Sequence, residues 1–223
     1  MTHSSPRYVF VAGSTGYIGS GLIPALLTRG HKVRALARAG SQGRLPDGCE
    51  VVTGDPLDRR TFDAQIASAD TFVHLVGTPR PSPAKARQFL EIDLVSAREA
   101  VAAAVEARVS HFVYVSVAQP APIMQAYLAV RAEGEAMIRK AGLRATILRP
   151  WYVLGPGHRW PHLLRPVYAV LERIPSTREK AQRLGLVTLR QMIGALVAAI
   201  ENPPDGVRIV AVPEIRRTAV ESI

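Results

Sequence analysis

The sequence feature that most constrains the fold is a glycine loop between an apolar strand and the start of a helix. Residues 8–12 are apolar throughout, as in parallel strands that helices cover on both faces. Gly13, Gly16 and Gly19 follow at once and lead into a helix predicted over residues 18–29. In this context the first glycine permits a tight turn, the second a close backbone approach to a pyrophosphate, and the third close helix packing.

This arrangement predicts a dinucleotide site, because the amino terminus of the helix also attracts the anionic pyrophosphate. The alternative is a structural turn that holds no ligand. The predicted site comprises seven consecutive residues: Gly13, Ser14, Thr15, Gly16, Tyr17, Ile18 and Gly19.

Beyond the loop, short runs rich in β-branched and aromatic residues alternate with helical stretches. The predicted strands are 8–12, 33–37, 50–53, 71–76, 111–116, 145–149 and 207–212. The predicted helices include 18–29, 91–108 and 125–141. Such alternation requires right-handed crossovers and predicts an α/β fold, a Rossmann-type doubly wound parallel sheet. We expect a single domain over residues 1–223, with about 151–206 forming the substrate side.

Cysteine usage and the amino terminus indicate where such a protein works. Cys49 is the single cysteine, so neither an intramolecular disulfide nor a cysteine-based zinc site can form. This fits a reducing cytosol and predicts a cytoplasmic protein. Residues 1–7 are short and polar, and glycines interrupt the apolar run after them, so we expect no signal peptide and no transmembrane segment.

The chain is strongly basic, and half of the excess charge lies in one segment. The formal net charge is +10, and residues 158–190 carry seven cations against two acids. An anionic substrate, a membrane surface or a partner protein would each explain this basic segment, and so would plain solvation. Pro161 and Pro166 argue against an amphipathic membrane helix there. With no zinc finger, aromatic RNA-binding strand or basic helix, we expect no specific nucleic-acid binding.

The end of the second strand predicts which dinucleotide is held. A carboxylate there would bind the ribose hydroxyls of NAD and repel a 2′-phosphate, whereas an arginine pairs with that phosphate. Residues 33–38 contain no acid and end on Arg38. We therefore predict NADP rather than NAD, with Arg38 on the phosphate and Ser41 beside it. The alternative is that Arg38 is a solvated charge.

Three runs together resemble the extended and atypical short-chain dehydrogenase/reductase superfamily: 11–19, 33–38 and 54–58. Within it, the sequence is similar to the NmrA-like and complex-I-subunit-like NAD(P)H-binding proteins, often labelled nucleoside-diphosphate-sugar epimerases. The resemblance extends over about residues 8–202. It implies a nicotinamide cofactor and a hydride-transfer or epimerase-like activity.

The resemblance also implies positions for further cofactor contacts. Asp55 and Pro56 would lie beside the adenine; the alternative is that Asp55 is an ordinary turn former. The nicotinamide side would be lined by Val76, Gly77 and Thr78. The loop after the sixth strand would contact the ring or its carboxamide through Pro150, Trp151, Tyr152 and Val153.

Proton transfer in this superfamily uses a serine, a tyrosine and a lysine four residues after the tyrosine. The matching positions here are Ser116, Tyr127 and Arg131. The spacing of four places Tyr127 and Arg131 on one helical face, where a cation can help a phenol to transfer protons. Arginine replaces the usual lysine and is bulkier, so the resemblance is incomplete at this point. The alternative is that Tyr127 only packs its helix and Ser116 only caps a turn.

Two functions follow from these observations. The first is an NADP-dependent oxidoreductase or epimerase-like enzyme with a small substrate, an anionic one if the basic segment contacts it. The second is a non-catalytic NAD(P)H-binding redox sensor or an accessory or assembly protein, with a protein partner on the basic segment 158–190. His158 is a further acid or base candidate, or a surface residue, and His74 is expected in the core.

Overall fold

The computed structural model of the chain describes residues 5–155 and 183–218. Its strands are β1 Tyr8–Ala12, β2 Lys32–Ala37, β3 Glu50–Thr53, β4 Thr71–His74, β5 His111–Val115, β6 Ala145–Arg149, β7 Tyr152–Leu154, β8 Leu186–Thr188 and β9 Val207–Ala211. Seven of them form a parallel sheet in the order β3-β2-β1-β4-β5-β6-β9, and β7 pairs with β8 separately. The predicted doubly wound Rossmann-type sheet is confirmed.

The longer α-helices of the described residues are α1 Gly19–Thr28, α2 Val95–Glu106, α3 Gln125–Lys140, α4 Leu189–Glu201 and α5 Val212–Arg217. A π-helical segment, Phe89–Leu94, leads directly into α2. The sequence analysis did not predict β7, β8 or α4. The start of α4 did carry a signal, since Thr188 and Gln191 form a capping box.

Helices cover the sheet on both faces. Apolar residues of α1 and α4 pack on one face and those of α2 and α3 on the other. On the second face Phe10, Phe72 and Phe112 lie at matching positions of β1, β4 and β5, with ring centroids 5.1 and 5.3 Å apart. Burial of each such side chain contributes about 1.5–3 kcal/mol. This packing fixes the carboxyl ends of the strands relative to one another.

The strand order reverses between β1 and β4, which are neighbours in the sheet. In doubly wound sheets a crevice forms beside the carboxyl ends of the strands at such a switch point, and ligands bind there. The glycine loop follows β1, Arg38 follows β2, and residues 75–78 follow β4. The fold therefore brings these predicted cofactor residues to one edge of the sheet.

Candidate cofactor and substrate site

At Gly13 and Gly19 of the loop, any side chain would clash with the backbone. Gly13 adopts φ +84°, and a Cβ there would lie 2.7 Å from the carbonyl carbon of Leu75. A Cβ on Gly19 would lie 2.5 Å from the Gly13 carbonyl oxygen. The N–H of Gly16 donates to that same oxygen at 3.1 Å and closes the turn. Side chains are thus excluded where the loop meets the chain after β4.

The other loop residues divide between the crevice and the interior. The buried Ser14 hydroxyl donates a hydrogen bond to the Leu36 carbonyl oxygen at 2.5 Å, which ties the loop to β2. Ile18 packs against the core, and Tyr17 contacts Gly155 after β7. The loop residues that line the crevice are Gly13, Thr15 and Gly16.

The crevice at the switch point is a cavity of about 240 Å³. Eight residues of the predicted cofactor set line it: Gly13, Thr15, Gly16, Arg38, Asp55, Pro56, Val76 and Gly77. Ile92 of the π-helical segment also lines it, and the sequence analysis did not predict this residue. At Gly13 the neighbouring backbone leaves no room for a side chain, and Arg38 lines the same cavity. This arrangement fits an anionic dinucleotide.

Arg38 lies at the edge of the cavity with an exposed side chain. Its guanidinium forms no ion pair within residues 5–155 and 183–218. Ser41 does not line the cavity, but its N–H donates to the Arg38 carbonyl oxygen at 3.0 Å and fixes the turn. The Asp55 carboxylate accepts the Leu57 N–H at 3.0 Å, so Asp55 both forms a turn and lines the cavity.

The chain after β4 forms the other side of the cavity. Val76 and Gly77 line it, whereas the Thr78 side chain is buried behind it. The N–H and the hydroxyl of Thr78 both donate to Oδ2 of Asp93, at 2.9 and 2.6 Å. Asp93 belongs to the π-helical segment and is fully buried. The sequence analysis missed Asp93, although a carboxylate within an apolar stretch was a visible signal.

Arg131 is buried and points at Asp93. Its Nη2 donates to Oδ1 of Asp93 at 2.6 Å, and its Nη1 donates to the Val115 carbonyl oxygen at 2.9 Å. A Cβ on Gly77 would overlap Nη2, so the guanidinium lies directly behind the cavity wall. This ion pair occupies the guanidinium that the sequence predicted would assist the Tyr127 phenol.

Tyr127 lies one turn before Arg131 on α3, as the spacing predicted. The Arg131 Cζ atom is 5.2 Å from the centroid of the Tyr127 ring, and the Phe89 ring centroid is 4.9 Å from it. The phenol hydroxyl makes no hydrogen bond to a described residue. Around it lies an apolar cluster formed by Val117, Ala121 and Leu128 with Trp151 and Leu184.

Ser116 belongs to a separate buried network. Its hydroxyl donates to Oε1 of Glu135 at 2.7 Å, and Arg149 donates to both carboxylate oxygens of Glu135. Burial disfavours the charge of Glu135, but the hydrogen bonds from Arg149 and Ser116 hold its pKa below the ordinary value. The Ser116 proton is therefore directed at Glu135, and neither residue lines the cavity. Glu135 was not predicted, although it stands four residues after Arg131 on the same helix.

The predicted loop over the nicotinamide is partly a strand. The Pro150 carbonyl accepts the Ala118 N–H at 2.9 Å, and the half-buried Tyr152 and Val153 are the first residues of β7. None of the four predicted residues 150–153 lines the cavity. Trp151 nevertheless packs against the same apolar cluster as Tyr127.

The remaining candidates contribute little to the described site. His74 is buried, and burial followed by the Arg131 charge lowers its pKa to about 3, so this core histidine stays neutral at ordinary pH. His158 and most of the basic segment lie outside the described residues. Within residues 5–155 and 183–218 no group of His, Cys, Asp or Glu is arranged to hold a metal ion. None of the described helices is long and apolar enough to cross a membrane.

Three curated relatives of similar sequence are named as reductases. The chain is 28% identical to a ceramide reductase of Caulobacter vibrioides, over 97% of this chain and 68% of that protein. It is 28% identical to a 3-diazoavenalumate denitrifying reductase of a Streptomyces species, over 89% and 73%. It is 27% identical to the 4-hydroxy-2-methyl-3-oxo-4-farnesyl-3,4-dihydroquinoline-1-oxide ketoreductase of Stigmatella aurantiaca, over 66% and 50%.

Two solved structures of similar fold are complexes with NAD. The Bordetella bronchiseptica enzyme WbmH in complex with NAD+ has a TM-score of 0.68 at 21% identity, covering 92% of this chain and 75% of that one. The UDP-glucuronic acid 4-epimerase of Bacillus cereus in complex with NAD has a TM-score of 0.67 at 19% identity, covering 92% and 77%. At these identities the likeness is one of fold.

The family follows from the glycine loop and what surrounds it. A family model described as NAD(P)H-binding matches residues 13–159, which is more than half of the chain. The chain therefore belongs to the NAD(P)H-binding family, within the extended short-chain dehydrogenase/reductase superfamily that its sequence resembles.

Proposed function

We propose that the chain is an NADP-dependent reductase acting on a carbonyl or similar reducible group. The observation that carries the cofactor preference is Arg38, a cavity-lining arginine with no acidic partner among the described residues. A 2′-phosphate is the part of NADP that such a guanidinium pairs with. When bound, the nicotinamide supplies the hydride, and the protein supplies orientation and electrostatics.

Tyr127 is the proton donor in this proposal. Its hydroxyl has no hydrogen-bond partner among the described residues. The Arg131 guanidinium lies against both the Tyr127 ring and Gly77, and Gly77 lines the cavity. Arg131 and Ser116 then act as positioning residues, since the guanidinium is bound to Asp93 and the hydroxyl to Glu135. A non-catalytic NAD(P)H sensor or accessory protein is the second candidate, because the cation expected to assist the phenol is already paired.

The substrate in this proposal is apolar around its reacting group. The side chains that surround Tyr127 are Phe89, Val117, Ala121, Leu128 and Trp151. Two relatives are named for the reduction of ceramide and of a farnesyl quinoline ketone, both of which carry long apolar chains. Of Tyr127 and the residues that surround it, only Tyr127 and Trp151 are partly exposed. An apolar substrate that covers them gains about 25 cal/mol per Å² of buried apolar area.

The cofactor preference is tested by titrating the protein with NADPH and with NADH. We expect NADPH to bind at least about tenfold more tightly, and Arg38→Ala to remove that advantage. Arg44→Ala is the matched control, because Arg44 is exposed nearby but does not line the cavity. Tighter binding of NADH, or equal losses in both variants, contradicts the preference for NADP.

The activity is tested by following NADPH absorbance with a panel of long-chain and isoprenoid ketones. We expect Tyr127→Phe to lower turnover about 10²- to 10⁴-fold with little change in NADPH affinity. Tyr8→Phe is the control, since this phenol bonds to Glu50 away from the cavity. Unchanged turnover in Tyr127→Phe excludes the proton-donor role. Tight NADPH binding without turnover of any ketone favours the sensor.

A further inference from the structure

We propose that the surface beside Tyr127 docks on an anionic lipid membrane. This surface, the docking rim, has a basic part, residues 79–90 after β4, and an uncharged part, residues 117–126, which leads from β5 into the first turn of α3. The proposal goes beyond the reduction itself, and its link to catalysis rests on the proposed role of Tyr127. A long-chain substrate then passes from the lipid to Tyr127 without crossing water.

The two parts of the docking rim meet at Tyr127. Phe89 of the basic part packs on the Tyr127 ring, with 4.9 Å between the ring centroids. Met124 of the uncharged part packs against the same buried cluster, which contains Phe89. Pro79, at the other end of the basic part, lines the cavity. The docking rim therefore borders both the cavity and the proposed proton donor.

The docking rim exposes apolar side chains. Residues 117–130 contain neither a charged residue nor a histidine. The Nε2 atoms of Gln119 and Gln125 donate to oxygen atoms of the protein itself, at 2.9 and 2.8 Å. Among the described residues the two most exposed large apolar side chains are Ile123 at 58% and Leu90 at 54%. Because both belong to the docking rim, their exposure is concentrated on one surface, as in interaction sites.

The charge of the docking rim favours lipid over a second copy of the chain. Residues 79–90 contain Arg80, Lys85 and Arg87 and no acid. Arg87 pairs with Glu91 at 2.6 Å, whereas Arg80 and Lys85 form no ion pair among the described residues. Cations beside exposed apolar side chains are typical of surfaces that lie on anionic membranes. Two copies joined at this surface would bring like charges together, which opposes self-association.

The test is the binding of the purified chain to vesicles, measured by co-sedimentation. One set of vesicles contains phosphatidylcholine alone and the other also contains anionic phosphatidylglycerol. We expect binding to the anionic vesicles to be at least about tenfold stronger and to weaken as salt is raised. The measurement uses neither cofactor nor ketone, so its outcome is independent of the proposed function.

The apolar contribution is tested by Ile123→Ser and Leu90→Ser. Each should lower binding to the anionic vesicles about tenfold, because an apolar side chain no longer enters the lipid. Both side chains are exposed, so urea unfolding should show little change in stability. Val51→Ser is the control, since Val51 is 47% exposed but lies on β3, three strands from β4. It should change vesicle binding less than about twofold.

The charge contribution is tested by Arg80→Asn. Arg80 has φ +50°, and asparagine tolerates this backbone conformation. The variant should bind the anionic vesicles about fivefold more weakly and leave binding to phosphatidylcholine unchanged. Arg80→Lys should restore binding. Arg44→Gln, which removes an exposed cation outside the docking rim, should have an effect of less than about twofold.

Two results overturn the proposal: no binding of the wild-type chain to anionic vesicles, and equal losses in the docking-rim and control variants. Self-association that Ile123→Ser abolishes, without vesicle binding, would also overturn it and assign the docking rim to a second copy. Vesicle binding by a chain that reduces no ketone supports the docking surface, while the proposed reductase activity fails.

Discussion

The predicted adenine side and the predicted nicotinamide side of the cavity are built in opposite ways. The predicted adenine side consists of backbone and one exposed charge, with the turn at Gly13 and with Arg38, which has no ion pair among the described residues. The predicted nicotinamide side rests on buried charges, in which Asp93 and Arg131 hold the wall at Gly77. The first side therefore depends on local chain geometry and the second on contacts between distant elements.

The largest expected effect is that of Gly13→Ala on the backbone-built side. The new Cβ would meet backbone of Leu75 at a φ of +84°, so neither partner can move easily. We expect a loss of about 4 kcal/mol or more in the free energy of unfolding, and loss of NADPH binding. Gly30 has φ +81° with open space around its Cβ, so Gly30→Ala should cost only about 1–2 kcal/mol. Urea unfolding measures both, and similar costs would contradict the steric argument.

The next effect concerns the buried charges beside the nicotinamide side. Glu135→Gln should lower the free energy of unfolding by about 3 kcal/mol at pH 7, because Arg149 loses its buried partner. The folded-state pKa of Glu135 is below 4.5. Its contribution is therefore present above that value and is lost as pH falls through the folded pKa.

The matched control is Glu50→Gln on the edge strand β3. Glu50 pairs with Arg34 at the surface, and exposed ion pairs contribute only about 0–1 kcal/mol. Urea unfolding at pH 7 and at about pH 3 should show the cost of Glu135→Gln shrinking at the lower pH. A cost that does not change with pH would mean that packing, rather than charge, stabilises this network.

The smallest expected effect, that of Gly77→Ala, tests most directly whether the two sides of the cavity are independent. In Gly77→Ala the new Cβ overlaps the Arg131 guanidinium, which must shift against Asp93. We expect a stability cost of about 1–3 kcal/mol and NADPH binding weakened about tenfold, with binding of the fragment 2′-phospho-ADP-ribose, which lacks the nicotinamide, retained. Gly43→Ala, with open space around its Cβ, should change neither. Loss of fragment binding in Gly77→Ala would show that the two sides are not independent.

Sequence reasoning succeeded where the structure is local. The strand, the glycine turn and the start of α1 are consecutive in the chain, so their residue types and spacing predict the fold and the cavity around Gly13. Arg38 was predictable because strand ends meet at the switch point. The roles of Asp93 and Glu135 were not, because the partners that define them, Arg131 for Asp93 and Ser116 and Arg149 for Glu135, lie on other elements and meet them only in the folded chain. At the serine position the residue type alone did not predict the role. Ser116 matches the superfamily pattern, but its hydroxyl donates to Glu135.

The site depends on the number of residues in the π-helical segment as well as on their identity. Each residue advances an α-helix by about 100°, so deleting one residue between Phe89 and Asp93 would rotate the preceding side chains away from their partners. Tyr127 would lose its ring contact although no residue that touches it had been substituted. The loop 40–43, whose two glycines have open space, can gain or lose residues without this penalty. Relatives of this chain are therefore expected to vary in length in that loop and to keep a fixed residue count within the π-helical segment.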